Sequence, residues 1–398
     1  MVLLDIIQSI TSNPSTSIDL LLSKSITFPL LCLVIYKTIA KEVKHKPTDN
    51  KNNDNPIINS PKRYNSVESE FQWTQAEPYR YRPFKKGEYK LVMGIHNIEP
   101  DEWFLVENTY KDYTTIKYGT VSTPNLTDHC VFMTEDCIPT VIEFYQETTK
   151  FMLERYPMCF KIDLDQGKIL NLIRGDSIPL DPYSIPPKEL LHCLSRFIEE
   201  DFILMFPDPK GHNTDEYIFK GGVFAFAAGF DPIERFQKPL TEIHGPVPEY
   251  RTKLRSQMNK FFEKLKPGLF VKRNNWSIQT HNKIFVIDAN KGTEDEEIKS
   301  LNPDHLDFKR QVYFRSERQV LTRLPKTQSI VFSIRTYLTP MWKIREEGLA
   351  DELVGGIQGM QEVIGQYKRR PEWGDAVVKF MNWESDGCDR PEIGPLHS

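Results

Sequence analysis

Two strand-like runs, Gln311 to Leu324 and Ser329 to Tyr337, are separated only by Pro325-Lys326-Thr327-Gln328. Both are rich in β-branched and aromatic residues, so they predict long strands joined by a tight turn. That pairing commits the chain to an antiparallel sheet. Tyr217 to Phe226, Leu269 to Gln279 and Lys283 to Asp288 read as further strands. Helical spacing of apolar residues predicts helices over Thr140 to Tyr156, Pro187 to Glu200, Pro248 to Lys266 and Glu347 to Lys368. Long strands alternating irregularly with helices predict an α+β fold, its antiparallel sheet holding something between itself and the helices.

With 398 residues the chain has room for one large or two ordinary domains, and no repeat of 20–50 residues is present. A net charge of −4 gives no electrostatic footprint for nucleic acid. Cys32, Cys130, Cys137, Cys159, Cys193 and Cys388 include no C-x-x-C pair, so neither a zinc site nor an iron–sulfur loop is visible. No G-x-G-x-x-G follows a strand and no G-x-S-x-G elbow occurs, which removes the usual nicotinamide, flavin and hydrolase signatures.

The N-terminal region has a different character. Ile26 to Ala40 is strongly apolar, Asp5 and Asp19 precede it, and Lys37, Lys41, Lys44 and Lys46 lie at or beyond its end. This charge bias predicts a membrane anchor within residues 1–46, with the bulk of the chain on the cytosolic side. Residues 47–72 are polar and rich in Asn and Pro and read as a linker. The folded domain is expected over 73–385, followed by a short tail over 386–398.

Within that domain Glu242-Ile243-His244-Gly245-Pro246-Val247-Pro248 sets one imidazole on a stiff backbone. Two prolines fix φ and Gly245 allows close approach of a planar group, features that suit an axial haem ligand. A capped turn with a satisfied core histidine fits the same residues. Arg315-Ser316-Glu317-Arg318-Gln319-Val320-Leu321-Thr322-Arg323 reads as a strand bearing four charges. Alternation directs Arg315, Glu317, Gln319 and Arg323 to one face and Arg318 to the other. Charges on a central strand need partners or a polar ligand, and haem propionates are one such ligand, as a solvated sheet face is an alternative. On the neighbouring strand, Asn275 offers an amide and Trp276 an apolar pocket wall. His281 lies on a polar turn and is a second imidazole to consider.

His244-Gly-Pro-Val-Pro, Arg273-x-Asn275-Trp276, Arg315-Ser-Glu-Arg-Gln-x-Leu-x-Arg-Leu-Pro325 and an early Arg82-Pro-Phe84…Met93-Gly94 segment occur in that order. Together they resemble the haem-dependent oxidative N-demethylase α-subunit-like family in its fungal form, over roughly Trp73 to Trp383. The resemblance implies a PAS-like haem-binding fold, a b-type haem and O2-dependent oxidation of a small methylated amine. It implies His244 as the haem iron ligand, with Arg315, Arg323, Asn275 and Trp276 around the cofactor and Glu317 and Arg318 in catalytic positions. No reductase domain is visible, so a separate flavin or iron–sulfur protein would deliver electrons. The apolar N-terminal run is similar to the endoplasmic-reticulum anchors of other haem oxygenating enzymes. A haem or small-ligand sensor, or a tethered interaction protein without haem, are the alternative functions.

Overall fold

The computed structural model describes residues 56–207 and 216–383, and its contacts divide the chain between Asn59 and Ser60. Of the first unit only the helical turn Pro56–Asn59 is described; everything below concerns the second. The apolar run Ile26 to Ala40 and the tail from 386 lie outside the described residues. Among the described residues no helix is long and apolar enough to cross a membrane.

A seven-stranded antiparallel sheet organises this unit. In chain order its strands are β1 (His96–Ile98), β2 (Val131–Met133), β6 (Asp201–Pro207), β7 (Tyr217–Val223), β8 (Phe270–Gln279), β9 (Tyr313–Arg323) and β10 (Ile330–Pro340). They lie in the order β1-β8-β9-β10-β6-β7-β2. A separate three-stranded sheet is made of β3 (Phe160–Asp163), β4 (Lys168–Asn171) and β5 (Asp176–Pro179).

The β9–β10 hairpin forms as the sequence predicts, in unbroken register from Tyr313↔Pro340 to Arg323↔Ile330. Its turn is held from outside. Glu143, on α3 (Ile138–Arg155), accepts hydrogen bonds from the amides of Lys326 (2.6 Å) and Thr327 (2.7 Å). Those donors have no ladder partner, so a buried carboxylate satisfies them instead.

Side chains of β8 and β9 alternate across the sheet. One face carries Trp276, Ile278 and Phe314 into a core with α7 (Met341–Glu346), α8 (Ala350–Gln358) and α10 (Arg370–Asn382), and α9 (Glu362–Tyr367) connects the last two. On the other face Val271, Leu321, Ile330 and Met205 pack with α5 (Leu240–Ile243) and α6 (Arg255–Lys264) through Leu240, Met258 and Phe262. The remaining helices are α1 (Tyr110–Ser122), α2 (Pro124–Cys130) and α4 (Pro187–Ser195).

Four expectations are corrected here. The helix predicted over Glu347 to Lys368 is two helices, broken at Gly359. A Cβ there would lie 1.8 Å from the Gly87 carbonyl oxygen, because the segment donating Tyr89 N–H to the Gly359 carbonyl runs against the break. Lys283 to Asp288 forms no strand; Val286 makes a single bridge to Ala228, since its neighbours turn away to bond side chains. The helix expected from Pro248 begins after Glu249, which adopts φ +59°, and opens with a wide π turn over Tyr250–Leu254. Packed chain also starts before Trp73: Tyr64 is buried with its ring edge-on to Phe151 at 4.8 Å, an aromatic anchor inside a polar tract.

Candidate functional site

His244 follows the single turn of α5 and closes it, its N–H donating to the Leu240 carbonyl (2.9 Å). The turn is pinned by the buried Glu216 carboxylate, which accepts from the Thr241 hydroxyl and from Arg255 Nε (2.8 Å) on α6. The imidazole Nδ1 lies 2.9 Å from the same Leu240 carbonyl. A carbonyl can only accept, so Nδ1 carries the proton and Nε2 presents a bare lone pair. Tyr250 stacks on the ring at 4.6 Å and 12°. Burial holds the imidazole down to about 4, against the Leu240 hydrogen bond, and the Arg273 and Arg235 charges act in the same direction as burial. A neutral, orientation-locked imidazole with free Nε2 is the form that ligates metals.

The sheet face on this side is apolar at one end and polar in its middle. Ile203, Phe332, Leu91, Met93, Ile95 and Val247 are half-buried around the core that contains Tyr250 and Leu240. Next along the strands come the cross-strand pairs Arg273↔Gln319, Asn275↔Glu317 and Ser277↔Arg315. Paired residues share a face, so five of these six present charged or amide groups to the same side. Arg273 Nε is buried without a hydrogen-bond partner, as is Gln319 Oε1. Buried polar atoms left open in this way are expected where a ligand completes them.

Glu317 is the acid of this surface. Burial raises its pKa, but Arg315 and Lys291, with hydrogen bonds from Asn275 (3.4 Å) and Gln319 (2.8 Å), more than offset that and leave it below the ordinary value. Lys368, at the end of α9, reaches in from the edge of the sheet. β1 covers only Phe270–Lys272 of β8; beyond it Lys368 Nζ caps the Trp276 carbonyl and lies 3.4 Å from Asn275 Oδ1. Burial, then the neighbouring Lys291 and Arg273 charges, lower this amine to about 7 despite Glu317.

The sequence candidates divide by what they touch. Arg315 is buried and is spent on the Phe226 carbonyl (2.5 Å) and the Ile284 carbonyl (3.2 Å), tying two loops over one end of the face, with Glu317 at 3.6 Å. Arg323 shares the face but is used up at its far end, donating to the carbonyls of Leu265 (2.6 Å), Gln328 (2.5 Å) and Phe262 (2.5 Å) and to the Tyr217 hydroxyl (2.8 Å). Arg318 points to the opposite face, where it donates to the Trp103 carbonyl (3.2 Å) and that of Glu102. Trp276 packs within the opposite core against Phe84 and Phe314, the latter at 5.6 Å. His281 is engaged by Asn290 at 3.0 Å. The structure therefore groups His244, Asn275, Glu317 and Arg315 on one side and leaves Arg318 and Trp276 on the other. Sequence reasoning passed over Arg273, Gln319 and Tyr250 as site residues, although Arg273 lies two positions before Asn275 on the same strand face. Lys368 left no local signal, since it arrives from a helix end about ninety residues away in the chain.

Residues 94–378 match the family described as haem-dependent oxidative N-demethylase, alpha subunit-like. The chain belongs to this family. The site residues of this N-demethylase-like protein fit a porphyrin on their own chemistry. One imidazole offers a bare nitrogen, half-buried apolar side chains border it, and an open cationic donor and an open amide acceptor lie on the sheet face. Among the described residues no group of three or more His, Cys, Asp or Glu side chains could hold a metal ion; porphyrin iron needs only one or two protein ligands.

Proposed function

We propose that this protein is a haem-dependent oxidoreductase that removes a methyl group from nitrogen, and that His244 Nε2 would hold the iron of a b-type haem. The observation that carries the reading is the Nδ1–Leu240 hydrogen bond, which fixes the metal-ligating tautomer inside a family named for haem dependence. The five consecutive strands β6 to β10 lie in the spatial order β8-β9-β10-β6-β7, with α5 and α6 inserted between β7 and β8. That order, with those helices over one sheet face, supports a PAS-like core.

The haem would supply O2 activation: a methylated amine, O2, two electrons and two protons give the demethylated amine, formaldehyde and water. The chain's own residues do the rest. His244, kept neutral by burial, would hold the iron through Nε2. Arg273 offers a hydrogen-bond donor and Gln319 Oε1 an acceptor from the sheet, and Glu317, held ionised, attracts an ammonium group and can accept its proton. Asn275 keeps Glu317 in place. The apolar residues exclude water from the same space.

Electrons would come from a separate flavin or iron–sulfur protein. The apolar run Ile26 to Ala40 would tether the enzyme to the endoplasmic reticulum, its folded unit facing the cytosol. Resistance of the full chain to carbonate extraction from membranes checks the tether; release into the soluble fraction refutes it.

The central test is the absorption spectrum of the full chain expressed with haem precursor, before and after His244→Ala. A Soret band that is lost or shifted in the variant supports the assignment, and an unchanged full-intensity band rejects it. Stoichiometric haem with no formaldehyde released from any methylated amine, under reductant and O2, would make the protein a sensor instead.

A further inference from the structure

Beyond Arg315, its ion-pair partner at 3.6 Å, three more cations converge on Glu317 at the polar middle of the sheet face, an imbalance that a simple methylammonium ion does not explain. Arg273 and Glu317 share the face by strand register, and Lys368 and Lys291 come to it from the α9 end and from the loop before residue 292. Lys291 also lies over the Tyr367 ring at 4.5 Å, which fixes its approach. Arg273 feels the Glu317 charge, yet its buried Nε has no hydrogen-bond partner. Gln319, 6% exposed, keeps Oε1 open while its amide nitrogen is given to Glu317. The surplus of cations and the open Arg273 donor mark a surface built for a ligand that brings negative charge, and the open Gln319 oxygen can accept only from an N–H of that same ligand.

The spacing of opposite charges is set by a single side chain. Asn275 Nδ2 donates to Glu317 Oε2 at 3.4 Å, and Asn275 Oδ1 accepts from Lys368 Nζ at 3.4 Å. A carboxylate and an ammonium thus sit on the two ends of one amide group. A ligand carrying an ammonium next to its own carboxylate would meet both, its ammonium on Glu317 and its carboxylate on Lys368 and Arg273.

We propose that Arg273, Lys368 and Lys291 around Glu317 bind a carboxylate borne by the substrate, which makes the substrate class an N-methylated amino acid. The proposal rests on the demethylase reading above. A porphyrin propionate presents the same chemical group, and the test separates the two sources.

Calorimetric titration of the full chain, haem-loaded and haem-free, with N,N-dimethylglycine, dimethylamine and acetate decides the matter, with haem content measured in parallel. N,N-dimethylglycine binds at least about tenfold tighter than dimethylamine or acetate, the difference one charge-assisted anchor makes. Lys368→Met abolishes that preference and leaves haem content unchanged. Because Lys368 also caps a strand edge, the loop variant Lys291→Met serves where Lys368→Met does not fold, and weakens N,N-dimethylglycine alone. Dimethylamine binding as tightly as N,N-dimethylglycine overturns the proposal. So does a variant that loses haem while no carboxylate ligand binds the wild type, since the carboxylate is then the porphyrin's. Failure of the wild type to take up haem rejects the demethylase reading, while titration of the haem-free chain still decides the carboxylate site.

Discussion

Arg335 is fully buried on β10 and surrounded by acid. Its Nη2 lies 2.7 Å from Glu107 and 2.7 Å from Glu199, and its Nη1 lies 3.3 Å from Glu200 and 2.8 Å from the Leu105 carbonyl. Lys117 donates to the Glu200 carbonyl at 2.6 Å, and Asp201 receives the Phe226 amide. Four carboxyls facing two cations cannot all stay ionised away from water. Burial raises Glu199 to about 8 even though Arg335 opposes it, and raises Asp201 to about 6 against Lys117. A carboxyl raised in the folded state adds stability that is complete below its unfolded value. That stability is lost as pH rises through the folded value, because the native protein keeps a proton the unfolded chain has released. Arg335→Met removes the charge that opposes burial at Glu199, so Glu199 moves further up. Breaking such a pair costs about 3–5 kcal/mol. Each further carboxyl forced to hold its proton adds about 1.4 kcal/mol per pH unit, or about 3 kcal/mol between pH 5.5 and 8. Urea unfolding of wild type and variant, followed by tryptophan fluorescence near those two pH values, measures the difference. The variant's deficit should be several kcal/mol and clearly larger at the higher pH, and Glu199→Gln in the Arg335→Met background should recover part of it. Equal deficits at both pH values would refute the reasoning, as would a variant as stable as wild type.

Three further outcomes are expected. Glu143→Ala leaves the Lys326 and Thr327 amides unsatisfied at the β9–β10 turn and should cost about 2–4 kcal/mol in chemical unfolding; a loss under about 0.5 kcal/mol would mean that water replaces the carboxylate. Gly359→Ala drives a methyl into the Gly87 carbonyl and should lower the thermal midpoint through a cost of about 1–3 kcal/mol or more, whereas an unchanged midpoint would show that the two segments separate freely. Tyr250→Leu removes the ring stacked on His244, worth about 1 kcal/mol, and should broaden the axial-ligand electron paramagnetic resonance signal of haem-loaded protein; a signal as sharp as wild type's would dismiss Tyr250 as a positioning residue.

The long hairpin and its side-chain alternation were legible because period two and turn residues are local properties of the strand. The placement of Arg315 and Glu317 on one face, and Arg318 on the other, followed from the same alternation. What local pattern could not distinguish was the acceptor awaiting each charge. Arg323 looks like a ligand-binding arginine in sequence, yet chain carbonyls about sixty residues upstream, at Phe262 and Leu265, take its donors. Trp276 was equally ambiguous, since an aromatic on a strand serves a pocket or a core depending on which face it takes. The acids at Glu199 and Glu200 looked like the end of a helix, but helix α4 stops at Ser195 and they turn inward to Arg335. Long-range pairing of this kind leaves no trace in a window of neighbouring residues.

One extra residue sits in the wide turn Tyr250–Leu254 that opens onto α6. A π turn shifts the rotational phase of every side chain before it by roughly a quarter of a revolution relative to those after it. Here the leading side chain lies flat on the His244 imidazole while Met258 and Phe262 still face the sheet. Excising a single residue from that turn would yield a more regular helix and a misaligned one: either the aromatic lid swings off the imidazole or the apolar stripe leaves its groove. The irregularity is therefore a coupling between two orientations, and a shorter loop at this point would have to give up one of them.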